Sequence, residues 1–151
     1  MKIVCHVDSS IEEEKGEIWV RELTPELSRL LNYVNNEQQV LWCIKNKELK
    51  PISYKEIFAI QTSSHGLDVS TEKSHYIYHE SLSKLKEKLN DIFVEASQSA
   101  IFNFHHIDHL ELNDNGTIDV ILKNQQRIQI ARRKIKNLKK RLGIWKNIFF
   151  Y

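Results

Sequence analysis

The chain has 151 residues, 41% of them hydrophobic and 28% charged, which suits one ordinary domain or one domain with a small appendage. No run approaches the ~20 apolar residues of a membrane span, and the start MKIVCHVDSS turns polar too soon for a signal peptide. Cys5 and Cys43 stand far apart without a CxxC context, so a soluble, cytoplasmic protein with reduced thiols is expected.

The net charge of +2 is unevenly spread. Ten Lys and Arg residues and no acid lie from Val120 onward, against twelve basic and twenty acidic residues before it. Such an end suits a polyanion partner, or else is a solvated basic helix; charge alone leaves both open.

KIVCHV (2–7) and EIWV (17–20) alternate like strands around the acidic Glu12, Glu13 and Glu14. Thr24-Pro25-Glu26 opens a helix with a hydroxyl cap, a proline in the first turn and an acid facing the helix dipole. Leu27, Leu30, Leu31 and Val34 line one side of it. Residues 1–47 thus read as a small β-β-α appendage, too short to be stable alone and expected to pack on the rest of the protein or on a second subunit.

From there the chain reads as strands: 40–46, 56–62, 67–71 and 75–80, with a turn at Ser64, His65 and Gly66. Ser81 caps a helix with Leu82, Leu85 and Leu89 on one face. Phe93-Val94 leads into 95–104, and HLEL (109–112) is joined to TIDVILK (117–123) through Asn113-Asp114-Asn115-Gly116, a strong hairpin signal. Asn124, Gln125 and Gln126 turn the chain into RIQIA (127–131). A basic helix with Ile135, Leu138 and Leu142 in its stripe ends at Gly143. The tail 144–151 is too apolar to be left in water.

This order of elements resembles the LytTR family of bacterial response-regulator output domains. Three segments carry the likeness: 54–89, then FVEASQSAIFNFHHIDHLEL (93–112), then NQQRIQIARRKIKNLKKRL (124–142). In the second, Phe93-Val94, Ser97-Gln98-Ser99, Ile101-Phe102-Asn103 and Ile107 occupy the family's places. Departures stand at Ala131, where Ser is usual, at Ile135, where an aromatic residue is common, and at Glu95-Ala96, where Arg-Ile is frequent. The resemblance implies a mainly β fold: an elongated antiparallel domain over residues 48–143 with one or two helices, preceded by the N-terminal unit and followed by the tail. The small N-terminal unit also resembles that of short, stand-alone regulators of this family that lack a phospho-receiver domain.

The resemblance further implies that bases are read from loops at one edge of the β body. His65 on its tip, Gln98 with Ser99 in the next turn, and Arg132 where the last helix opens are the implied base contacts. Their chemistry suits the work: Gln pairs with adenine, Arg with guanine, and His donates to a purine N7. Lys123, Arg133, Lys134 and Lys136 are placed to clamp phosphates, which adds affinity without sequence information. Asn103 reads as structural, its amide tying neighbouring backbone.

Other chemistry fits less well. His75 and His79 on one strand would stand roughly 13 Å apart, too far for a shared ion. His105, His106 and His109 lack a nearby Cys or a repeated carboxylate pattern. There is no GxSxG and no glycine-rich phosphate loop among only four glycines. No enzyme, cofactor or metal site is expected. The expected partner is double-stranded DNA, as direct repeats in a promoter bound by a homodimer, with a membrane-protein inhibitor as the regulator such proteins often have. The other reading is a β-rich protein-interaction module whose basic helix and aromatic tail dock an acidic or membrane-protein partner.

Overall fold

The computed structural model describes residues 2–35 and 39–143. Its elements run α1 (Pro25–Asn35), β1 (Val40–Lys45), β2 (Glu48–Ser53), β3 (Ala59–Ser63), β4 (Gly66–Ser70), β5 (His75–Tyr78), α2 (Leu82–Lys88), β6 (Phe93–Ser97), β7 (Ala100–Asn103), β8 (Ile107–Leu112), β9 (Ile118–Leu122), β10 (Arg127–Ile130) and α3 (Arg132–Leu142). The strands form a seven-stranded sheet ordered β2-β1-β5-β4-β3-β7-β6 and a three-stranded sheet ordered β10-β9-β8. Every pairing is antiparallel. The mainly β, antiparallel architecture read from the sequence is therefore the one observed.

Two apolar cores explain why the middle strands read as continuous hydrophobic runs. On one face of the large sheet, Ile60, Val69 and Ile101 pack with Leu82 and Leu85 of α2. On the other, Ala59, Ala100 and Phe102 pack against Ile118, Val120, Ile128 and Ile130 of the small sheet and Leu138 of α3. Adjacent residues of β3 and β7 thus face different cores, so both strands must be apolar throughout. Cys43 is fully buried, and desolvation pushes its thiol up to about 11, leaving it an inert, protonated core group.

The second sheet covers only part of its side of the first. The register runs Leu49–Ile44–Ile77–Asp68–Gln61–Ala100 across the strands, so these residues share the Ala100 face. Its β1–β2 end stays bare: Trp42 is 53% exposed and Leu49 60%.

Local chemistry fixes the ends of the elements. Ser81 accepts from the Lys84 amide at 3.3 Å, Thr24 accepts from the Leu27 amide at 3.2 Å, and Gly143 closes α3 at φ 68°. β2 was not anticipated, because Pro51 interrupts it; the proline is tolerated since β2 is an edge. The boundary expected between residues 47 and 48 falls at the end of the β1–β2 turn, where Asn46 and Lys47 both take positive φ, as a two-residue hairpin turn demands.

One expectation needs correction. Residues 2–24 contain neither of the strands read at 2–7 and 17–20. Apolar alternation makes a strand only where a neighbour completes its backbone hydrogen bonds. The backbone bond found here, Ile11 to Asp8, is a local turn. The N-terminal region is an arm without helix or strand, followed by α1.

Candidate nucleic-acid interface

β3 lies between β4 and β7, and this adjacency decides where the polar turns go. The β3–β4 turn carries Ser64 and His65, and the β6–β7 turn carries Gln98 and Ser99, all exposed. Both turns project from the same end of the sheet. The Thr62 amide joins them by donating to the Ser99 carbonyl at 2.9 Å.

Each tip is braced internally. Ser63 Oγ donates to the Gly66 carbonyl at 3.0 Å and accepts from the His65 amide at 3.3 Å. Gly66 sits at φ +125°, where a Cβ would meet the Tyr78 carbonyl oxygen at 3.0 Å, so only glycine fits without strain. In the other turn, the Ser99 amide donates to Ser97 Oγ at 3.2 Å, with the two hydroxyls also 3.2 Å apart. A register shift between Glu95 and Ser97 bends β6 just before this tip.

The small sheet brings Arg132 to the same end. The Ala131 amide donates to the Ala96 carbonyl at 2.8 Å, locking the start of α3 beside the Gln98 turn. Arg132 shares a depression with Gln61, Ser97, Ser99 and Gln129, and its guanidinium donates to the Asn115 carbonyl at 3.4 Å. Four turns therefore meet at one end of the molecule: β3–β4, β6–β7, β8–β9 and β10–α3. Ala131 offers no side-chain acceptor to the first turn of α3, where Arg132 and Arg133 oppose the helix dipole. A cationic, uncapped helix start of this kind is complementary to an anion.

The expected phosphate-facing residues divide. Arg133 and Lys136 are exposed on α3. Lys134 is engaged: its ammonium donates to Glu95, which Lys86 also reaches at 2.6 Å. Hydrogen bonds from Lys134 and then Lys86 hold the Glu95 carboxyl below the usual carboxylate range. Arg133 and Gln98 border one small pocket with this trio. Lys123 is not with them. It lies in the β9–β10 turn, at the far end of β9 from Arg132, where Asn124 donates to the Thr71 carbonyl at 3.1 Å and the Ser70 hydroxyl donates to Gln126 at 2.6 Å.

Gln61 and Gln129 were not singled out in the sequence. Gln129 had a signal: in RIQI it alternates outward against buried Ile128 and Ile130. Asn103, read as structural, is 1% exposed and donates to the Ile57 carbonyl at 3.0 Å. Two of the histidines weighed as metal ligands have other partners. His106 stacks on Phe58 with centroids 3.9 Å apart, and His75 lies 3.1 Å from Asp68. Among the described residues no group of three His, Cys, Asp or Glu side chains is placed to hold a metal ion, and no helix is long and apolar enough to cross a membrane.

The sequence profile of the LytTr DNA-binding domain matches residues 47–143. The chain belongs to the LytTR family. A solved LytTr DNA-binding domain from a Bacillus cereus response regulator superposes with a TM-score of 0.66 at 18% identity, over 71% of this chain and 99% of its own. Two uncharacterised HTH-type transcriptional regulators of Staphylococcus aureus, from strains NCTC 8325 and MSSA476, are each 25% identical over 146 residues, 95% of this chain and 99% of theirs. In this LytTR chain no two α-helices are consecutive among the described residues, so the groove-reading helix pair of a helix-turn-helix is not what its fold offers.

Proposed function

We propose that the protein is a transcriptional regulator that binds double-stranded DNA in the cytoplasm and reads bases through the turns at one end of its β body. His65, Gln98, Ser99 and Arg132 are the base-reading groups, and Arg133 and Lys136 contact the flanking phosphates. Lys134 joins them only by exchanging Glu95 for a phosphate. Lys123, at the opposite end, is left out of this contact. Two copies bind two repeated half-sites.

The observation that carries the proposal is the meeting of the β3–β4, β6–β7 and β10–α3 turns, distant in sequence, at one exposed end. Donors and acceptors there are those that discriminate base edges, and the basic start of α3 lies beside them. The names of the Staphylococcus aureus relatives agree with this class of function.

Gel shifts with a target promoter and a scrambled competitor test it. Gln98→Ala should relax base preference, whereas Lys136→Ala should weaken all sequences alike and reduce the salt slope by about one. Indistinguishable behaviour of the two variants refutes the assignment.

A further inference from the structure

The arm at residues 2–24 exposes Ile3, Val4, Val7, Trp19 and Leu23, with Val7 at 95% and Trp19 at 84%. Single exposed apolar side chains are ordinary, but several of them along one segment without regular structure mark a contact surface. The arm precedes the family's matching region, which begins at residue 47. Yet the Staphylococcus aureus relatives align over 95% of this chain, which takes in most of the arm.

A second apolar surface is also bare. Val40, Trp42, Ile44 and Leu49 lie on the face of the β1–β2 hairpin that the small sheet does not reach, and each is at least 36% exposed. The two surfaces carry opposite charge. Residues 2–24 hold six acidic against three basic residues. The hairpin carries Lys45, Lys47 and Lys50 against Glu48. Lys84 and Lys88 share a depression with Trp42, Ile44 and Glu80, whose carboxylate pairs with Lys88 at 3.0 Å, so the lysines still outnumber the acids there.

We propose that the arm of one copy covers the β1–β2 face of a second copy, reciprocally, so that two chains exchange arms in a closed pair. The arm's apolar side chains meet Trp42, Ile44 and Leu49, and its acids meet the lysines at the rim. The contact is on the face rather than by strand addition at the edge, because Pro51 has no amide to offer a new strand. Within one chain the arm and the hairpin face are both left exposed, and exchange removes both surfaces from water at once. The inference gives a place to the pairing that the DNA-binding reading invokes, but it is tested without DNA, so the two can fail separately.

Sedimentation equilibrium of the full chain at about 10 μM, well above a micromolar dissociation constant, should return twice the chain mass. Trp19→Ser and Trp42→Lys should each raise the dimer dissociation constant at least ten-fold while leaving far-UV circular dichroism unchanged. Cys5 is exposed and Cys43 buried, so position can be checked chemically. In Leu49→Cys, mild oxidation should link the introduced thiol to Cys5. In a mixture of 15N-labelled and unlabelled chains the linked peptides should have hybrid mass. A monomer, a dimer that survives both tryptophan changes, or links only within single chains overturns the proposal. A monomer that pairs only on DNA also overturns it, and leaves the base-reading assignment standing.

Discussion

The Asn103 carboxamide donates to the carbonyl of Ile57 at 3.0 Å and, through Oδ1, accepts from the His105 amide at 2.9 Å. Asn103 is the last residue of β7, and Ile57 lies in the link that brings the chain into β3. One buried side chain therefore ties the far ends of the two strands whose other ends carry the turns proposed to read bases. Removing it strands a buried carbonyl, which costs about 1–3 kcal/mol. Asn103→Leu should lower the free energy of unfolding in urea by about 2 kcal/mol. The remaining folded protein should keep its base preference, because the side chain is far from the exposed end. A variant of unchanged stability would show that the amide does not hold β7 to β3.

Gly66 and Tyr78 give a second prediction. A methyl group at residue 66 would meet the Tyr78 carbonyl oxygen at 3.0 Å, in a backbone conformation of φ +125°. Backbone strain of this kind costs about 1–3 kcal/mol. Gly66→Ala should lower the melting temperature and, by moving His65, weaken target DNA more than scrambled DNA. Calorimetry and competition gel shifts separate the two effects. Equal loss on both DNAs would remove His65 from the reading groups.

Much of this architecture was legible because local signals agreed with one another. Asn115-Gly116 gave the β8–β9 turn, Ser81 the start of α2, and Gly143 the end of α3. β2 was hidden because Pro51 and its lysine neighbour break the strand pattern, and an edge strand alone tolerates that. The arm misled for the opposite reason: its alternation is real, but strand formation needs a partner that the periodicity cannot supply. At the candidate site, the turns proposed to read bases came from family resemblance, whereas their meeting depends on β3 lying beside β7, a pairing across some forty residues. Lys123 was grouped with the other cations by charge, yet β9 carries it to the opposite end. Lys134 is occupied by Glu95, thirty-nine positions earlier.

The third prediction concerns pH. Asp108, 2.6 Å from the His109 imidazole, and secondarily Glu111 raise its pKa above the ordinary 6.5. In the unfolded chain these carboxylates disperse, so the folded state binds the proton more tightly. The resulting stability is fully present below 6.5 and is lost as pH rises through the higher folded value. The melting temperature should therefore drop slightly between about pH 6 and 8, and His109→Gln should flatten that limb. A His109→Gln profile that overlays the wild type would mean the pair is not formed in solution.

Glu95 gives the last prediction. Its carboxylate occupies both Lys86 and Lys134, 2.6 Å from the former, beside the Gln98 turn and Arg133. Two cations that could face phosphates are thus neutralised within the protein. Glu95→Gln keeps the size and hydrogen-bonding reach of the side chain and removes its charge. Each phosphate neutralised contributes about −0.9 to the slope of log affinity against log salt. Freeing both lysines should steepen that slope by up to about 1.8. Phosphates carry no base information, so the gain at low salt should be equal for target and scrambled DNA. Titrations at several salt concentrations, followed by fluorescence anisotropy, measure both quantities. A slope unchanged from the wild type would place Lys86 and Lys134 out of reach of the duplex. A loss of affinity for target DNA alone would show instead that Glu95 holds the Gln98 turn in its reading position.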